Sequence, residues 1–378
     1  MVRFIHTSDW QLGMTRHFLG PEAQARFSAA RVEAVRSIGR LAVSEGCGFV
    51  VVAGDVFDSN HLERQVVVRA LEAMAATPEV TFYLLPGNHD PLDAASVFRS
   101  RTFLDHVSEN VVVLDSNEVV KAGEGVELIA APWTSKRPLA DLVANASQGL
   151  PAPDPATQRI LVGHGAVDLL SPSTSDPALI SVSALEAQLA DGALGFVALG
   201  DRHSTTSIGE TGRIWYSGTP EPTDHQENDP ANVLVVTLDD AAAEVVPHRV
   251  GTWSFLRLAY DLTGVEDVER LTQDLDSIPD KMNSVVRLSL VGQLNLAEHA
   301  NLGAVLDHHT DLLASLQVWA PSSDLVVLPD DEDFARLPLA GFAREALDDL
   351  RAELTDAATA DVARDSLGLL YRLVGASS

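Results

Sequence analysis

The chain has 378 residues, more than one average domain and enough for two. Apolar residues make up 46%, which supplies packed cores and excludes a generally disordered chain. With 26 basic against 54 acidic residues, net −28, a broad phosphate-binding surface is disfavoured, because such surfaces draw on clustered Lys and Arg.

In chain order, "RFIHTSD" (3–9) reads as an apolar strand ending in a polar turn. It is not a basic stretch followed by an apolar block, so no signal peptide is expected. No apolar run approaches the ~20 residues that span a bilayer, and the expectation is a soluble, cytoplasmic protein without membrane contact. A helical period covers 23–45, "FVVVAGD" (49–55) is a second strand, and 61–76 is a second helix. The single cysteine, Cys47, excludes an intramolecular disulfide and reads as a buried, inert thiol. Further strands are expected at "TFYLLPGNHD" (81–90), "VELIAAPW" (126–133), "RILVGHG" (159–165), "GFVALGD" (195–201), "RIWYSG" (213–218) and "NVLVVTLD" (232–239). The helix before "GFVALGD" is expected to start with a capping box, Ser183-x-x-Glu186. Strands alternating with helices indicate an α/β layered domain.

From about Thr252 a new unit begins. "SFLRLAYDL" (254–262), "VEDVERLTQDLDSI" (265–278), "SVVRLSLVGQL" (284–294), 298–316 and "LQVWAPSSDLVVL" (316–328) read strand, helix, strand, helix, strand. An acidic turn, "PDDED" (329–333), leads to a helical period over 341–375, with Phe342, Ala346, Leu347, Leu350 and Leu354 on one stripe.

Five strands of the first unit end in polar residues. The endings are Asp9-x-Gln11, Gly54-Asp55, Gly87-Asn88-His89-Asp90, Gly163-His164 and Gly200-Asp201-x-His203. In α/β sheets, ligands collect beyond the carboxyl ends of strands. One such ending is ordinary turn chemistry. Five in one domain, four with a glycine that lets backbones pack closely, point to a site. Carboxylates, imidazoles and an amide oxygen suit Mn²⁺ or Mg²⁺, and no thiolate is on offer. Two such ions about 3.5–4 Å apart share a carboxylate and activate water for in-line attack on phosphorus.

The motifs "HTSDWQLG", "GDVFDS", "GNHD", "GHG" and "LGDRHS", in this order, resemble the calcineurin-like metallophosphoesterase superfamily. "TSDWxLG" with "GDVFDS", and "WYSGTPEP" (215–222), are similar to the SbcD-type DNA repair exonucleases, nuclease partners of an SMC-like ATPase. The resemblance implies a two-sheet layered metallophosphoesterase (nuclease) domain over 1–250. It implies a smaller α/β capping domain over 251–330 that positions nucleic acid, and C-terminal helices over 331–378. It also implies a homodimer acting on DNA, with two divalent metal ions, Mn²⁺ first and Mg²⁺ as the alternative. By motif, Asp9 binds the first ion and Asp55 bridges. Asn88 and His164 bind the second ion, and His203 returns to the first. His89 is the family's catalytic histidine, with Asp58 orienting it.

The chain departs from that pattern twice, with Gln11 and Asp201 where the family has histidine. Gln11 falls on the first ion and Asp201 on the second. Both offer oxygen, and the added carboxylate makes the site less positive, favouring Mn²⁺ or Mg²⁺ over Zn²⁺. His6, mid-strand, reads as a core residue, and Trp10 as cover for the site floor or a stacking platform. The pair His308-His309 points to two faces of its helix and makes a poor metal clamp. Two other functions stay open. The net charge suits a small-molecule phosphoesterase, and the two departures suit a non-catalytic interaction subunit. The C-terminal stripe packs on its own domain or on a partner's coiled coil.

Overall fold

The computed structural model describes residues 1–150, 153–154, 156–171, 176–239, 242–327 and 341–354, with 359, 362–363, 366–367 and 370 beyond them. Two compact units divide the chain, Met1–Ser254 and Phe255–Ser378. The first begins β1 (Val2–Thr7), α1 (Pro21–Ser44), β2 (Phe49–Val52), α2 (Arg64–Ala75), β3 (Thr81–Leu84), α3 (Arg101–His106) and β4 (Val111–Val113). It continues β5 (Val120–Gly123), β6 (Val126–Ala130), α4 (Leu142–Ser147), β7 (Gln158–His164), α5 (Val182–Ala190) and β8 (Phe196–Gly200). Strands β9 (Thr206–Ile208), β10 (Ile214–Tyr216), β11 (Asn232–Leu238) and β12 (Ala243–Arg249) complete it.

These strands form two six-stranded sheets, ordered β12-β11-β1-β2-β3-β4 and β5-β6-β7-β8-β10-β9. In the first, β1, β2 and β3 run parallel; in the second, so do β6, β7 and β8. Parallel strands covered on both faces read as continuous apolar runs, which is why "FVVV" and "FVALG" carry no alternation. The sheets pack face to face through Phe4, Phe49, Val51, Val162, Phe196 and Ala198. Phe4 anchors this layer, stacked on Phe49 at 5.1 Å between ring centroids and meeting Phe196 edge-on at 5.8 Å. Helices α1 and α2 cover the first sheet's outer face through Val35, Ile38, Val67 and Leu71. Helices α4 and α5 cover the second through Val143, Leu185 and Leu189. The expected layered α/β architecture is present.

The capping box is not where the sequence placed it. Ser181, two residues earlier, is the N-cap of α5 and makes no side-chain cap bond. Glu186 instead accepts the main-chain N–H groups of Glu210 and Thr211, closing the turn before β10. Strands β4, β5, β9 and β12 have no counterpart in the sequence reading. The first three have three or four residues each, and β12 is an edge strand that contains Pro247.

In the second unit, β13 (Ser254–Leu262), β14 (Ser284–Leu294) and β15 (Ser315–Val318) form a sheet. Helices α6 (Val265–Ser277) and α7 (Leu296–Leu312) connect them. Of the segment expected as one strand over 316–328, the described residues form two. Before a short 3₁₀ turn holding Pro321, β15 pairs with the first half of β14; after it, β16 (Asp324–Val327) pairs with the second half. A capping box does occur here, at α7, where Asn295 and Glu298 exchange side-chain and main-chain bonds. His309 is buried and bonds Asp276, while its neighbour His308 meets it edge to face. The last described helix, α8 (Phe342–Glu353), buries Leu347 against Leu350, Leu354, Leu367 and Leu370 and leaves Phe342 exposed. The acidic turn 329–333 and much of the helical period beyond 354 lie outside the described residues. Among the described residues, no helix is long and apolar enough to cross a membrane.

One buried charge braces the first unit. Arg31 of α1 donates to the carbonyl of Trp10 at 2.7 Å and to those of Glu221 and Pro222 at 3.2 Å each. Its guanidinium also lies 4.7 Å from the Phe27 ring centroid. Arg31→Leu leaves three carbonyls without their charged donor and is expected to lower stability by about 3 kcal/mol, read as a shift of the urea midpoint.

Candidate metal centre

The polar endings of β1, β2, β3, β7 and β8 come together. Where β1 and β2 stop, their following turns run on side by side: Asp9 N–H donates to Gly54 O at 3.0 Å, and Gln11 N–H to Asp55 O at 2.9 Å. This pairing needs an unusual backbone. Asp9, Gln11, Asp55 and Asp201 all take left-handed φ, at 54°, 42°, 53° and 97°. Non-glycine residues seldom do so, and their grouping here concentrates local strain on the residues that the motifs single out. Gly54 has φ 92°, and a Cβ on it would strike the His164 ring; at Gly87 a Cβ would strike the Asp55 carboxylate.

One ligand atom each from Asp9, Asp55 and His164 lies within 4.8 Å of the other two, and all three residues are buried. His164 Nε2 is 3.5 Å from Asp55 Oδ1 and 3.7 Å from Asp201 Oδ1. His203 Nε2 is 3.8 Å from Asp9 Oδ1, and His89 Nε2 is 4.0 Å from Asp55 Oδ2. The Asn88 amide lies against Asp55. With nitrogen inward it donates to the carboxylate at 3.0 and 3.1 Å and to His164 Nε2 at 2.8 Å. With oxygen inward it faces the Asp55 carboxylate and lies 2.8 Å from His164 Nε2, an arrangement that a proton on Nε2 or a cation would satisfy. Thus all seven residues expected as ligands stand around one centre, together with His89.

The three histidines share an orientation. His164 Nδ1 faces the Ala53 carbonyl at 2.9 Å and His89 Nδ1 the Asp58 carbonyl at 2.9 Å, so each Nδ1 carries the hydrogen and each Nε2 is turned inward. The link from Asp58 to His89 therefore runs through the main-chain oxygen, not the carboxylate. At His203, Nδ1 meets Thr223 Oγ1 at 2.6 Å and Glu227 Oε1 at 2.9 Å. Asp201 and His89, with side chains 34% and 40% exposed, form the open rim. Beside them lies a cleft of about 410 Å³ lined by Asp201–Ser204 and by Asp224 and Gln226–Asn228.

Other supporting residues are given no role in the sequence reading. Ser8 donates to Asp9 Oδ2 at 2.6 Å and shares a hydrogen bond with Ser217. Asp90 accepts Gly87 N–H at 2.7 Å and Phe57 N–H at 2.9 Å, tying two motif loops together. The last position of "GNHD" could have flagged Asp90; Glu227 sits in a polar run with no such signal. His6 is buried beneath the site, bonded to Leu199 O at 3.1 Å, and burial lowers its imidazole to about 3. It is the core residue expected. Trp10 is buried too, donating to Thr7 Oγ1 at 2.9 Å and packing on Phe82, so it is cover rather than a stacking platform.

The electrostatics follow from burial of like charges. Burial pushes the Asp9 carboxyl upward against the pull of His203 and His164. At Asp55 burial acts the same way, but the adjacent His164 outweighs it and the carboxyl falls below its usual range. Burial, helped by Asp55, lifts Asp90 to about 8. His164 and His203 resist charge through burial, yet their carboxylate neighbours outweigh it and both imidazoles lie above 6.5. The centre thus gathers positive charge, as protons or as cations. A cation fits a specific vacancy in the bonding: Gln11 donates its amide nitrogen to His203 Nε2 at 3.2 Å, and its Oε1 is buried without a partner. Turned over, the amide presents that oxygen to an ion shared with His203.

Residues 2–232 match the calcineurin-like phosphoesterase family, and the chain belongs to it. That family is one of metallophosphoesterases, which use divalent metal ions, and Asp9, Asp55 and His164 are a candidate site for one here. The SbcD component of the nuclease SbcCD of Rhodobacter capsulatus is 26% identical, over 66% of this chain and 69% of its own length. The DNA double-strand break repair protein Mre11 of Methanosarcina acetivorans is 24% identical, over 77% of this chain and 46% of its own. The SbcD component of the Bacillus subtilis nuclease SbcCD is 25% identical, over 38% and 37%. The chain spans less than half the length of the last two.

Metal uptake has to displace protons from His164 and His203. Because their imidazoles lie above 6.5, Mn²⁺ affinity is expected to rise with pH through and above that value. Calorimetric titration in buffers of different ionisation enthalpy counts the protons released at pH 7. Zero release would show both rings already neutral.

Proposed function

We propose that the chain is a Mn²⁺-dependent phosphodiesterase, the nuclease subunit of a cytoplasmic DNA repair complex with an SMC-like ATPase. Its support is the convergence of Asp9, Asp55 and His164 with an unpartnered Gln11 oxygen at the ends of three strands. Asp9, Gln11 and His203 would hold one ion, Asn88, His164 and Asp201 the other, and Asp55 would serve both. The oxygen-rich set favours Mn²⁺ over Zn²⁺, with Mg²⁺ as the alternative. When bound, the two ions neutralise the phosphodiester and activate water for attack at phosphorus. His89 keeps its Nδ1–H on the Asp58 carbonyl, and with a second proton on its exposed Nε2 it would give that proton to the leaving oxygen and be left as the neutral Nδ1–H ring. The relatives named for nuclease and double-strand break repair support DNA as substrate. Residues 1–250 are assigned as the nuclease domain, 251–330 as a capping domain that positions DNA, and 331–378 as a C-terminal helical segment, in a homodimer.

A small-molecule phosphoesterase is the second reading, favoured by the net charge of −28. Linear DNA separates the two, because it competes with a chromogenic diester only if both occupy one site.

Loading with Mn²⁺ and removing the excess is expected to leave two ions per chain, and Asp55→Asn to lose both. His89→Ala is expected to keep both ions and slow diester hydrolysis about 10²–10⁴-fold. Two bound ions with no turnover by the wild type, alone or with its ATPase, would leave a non-catalytic interaction subunit.

A further inference from the structure

We propose that Glu227 is a positioning residue for the metal centre, acting through His203; this rests on the two-ion reading above. Of the three histidines at the centre, His164 and His89 are fixed by main-chain carbonyls, which the strand ends supply. His203 alone is fixed by side chains. Its Nδ1 meets both Thr223 Oγ1 and Glu227 Oε1.

The carboxylate is the fixed point of that arrangement. Glu227 accepts the Thr223 N–H at 3.1 and 3.0 Å, the Asp224 N–H at 3.1 Å and the Thr223 hydroxyl. With the hydroxyl hydrogen committed to Glu227, Thr223 Oγ1 faces His203 only as an acceptor. Every partner of Glu227 is a donor, so a carboxylate suits the position and an amide NH₂ does not. Its side chain is 6% exposed, so the bond to His203 is shielded from water and counts for more than a surface contact. The consequence falls at the opposite end of the ring. With Nδ1–H held outward, Nε2 keeps its lone pair and faces Asp9 and Gln11. Releasing Nδ1 lets the ring turn or take the other tautomer, and an ion shared by Asp9, Gln11 and His203 loses its nitrogen donor. Gln11 makes that ion the more dependent on Glu227, since an amide oxygen is a weaker ligand than a second imidazole.

Carboxylate partners of ligating histidines typically change metal affinity 10–100-fold. The test is a double-mutant cycle on the full chain, with Mn²⁺ binding followed by the electron paramagnetic resonance of the free ion. Glu227→Ala is expected to weaken one of the two sites about 10–100-fold and leave the other within about twofold. In a His203→Ala background the same substitution is expected to add nothing. Should Glu227→Ala fail to fold, Glu227→Gln keeps one oxygen for the Thr223 and Asp224 N–H groups and runs through the same cycle, with about a tenfold loss expected. Unchanged affinity in the single variant overturns the proposal. So does an equal further loss without His203, which marks a merely structural part for the 223–228 turn. A wild type that takes up no Mn²⁺ removes the two-ion reading itself, an outcome distinct from either.

Discussion

Two carboxylates, Asp9 and Asp55, are buried within a few ångströms of each other, and the head of the first unit is arranged around keeping them there. Desolvating a charged group costs several kcal/mol unless donors or counter-charges surround it. Asp9 has the hydroxyl of Ser8 and the main-chain N–H of Asp201, and Asp55 has the main-chain N–H of His89. His164 and His203 supply the counter-charge. These groups come from five strands in two sheets, so the packing of one sheet on the other is a condition of the centre.

The division of labour in the fold follows. Buried parallel strands make a floor that does not yield, with Phe4, Phe49 and Phe196 locked between sheets and Trp10 and His6 closing the space below the ligands. The rim is different. Asp201 and His89 reach toward solvent, and the cleft past them is bounded by the 224–228 turn rather than by a strand. A rigid, dry floor fixes distances between charges, while an open rim admits a substrate as bulky as a phosphodiester chain.

Much of this was legible in the sequence, for identifiable reasons. Strands buried on both faces must be apolar throughout, so β1, β2, β3, β7 and β8 announce themselves, and the polar residue that ends each run marks the site. Short edge strands such as "TSI" and "VKAG" face solvent on one side and carry no such run. Ser183-x-x-Glu186 has the spacing of a cap, yet a turn 24 residues on takes Glu186 for its own N–H groups. Pro321 splits a run of apparently continuous strand character because each half finds a different stretch of β14. Side-chain chemistry also misdirects attention. Asp58 draws notice for its carboxylate, while its carbonyl is what holds His89. Glu227, in a polar stretch without period, becomes significant only once the chain has folded it back onto His203.

The left-handed backbone at Asp9, Gln11, Asp55 and Asp201 also bears on how such a centre can change over generations. At these positions a substitution meets a conformational requirement as well as a change of charge. Aspartate and asparagine enter that region more easily than other side chains, and glycine enters it freely. A drifting lineage therefore has few neighbouring sequences in which the turns still close, and alanine or valine would unsettle the loops before any question of ligation arose. Asp201 lies on the easy path. Gln11, longer and less suited to φ 42°, does not, so the backbone alone gives no reason for a glutamine there.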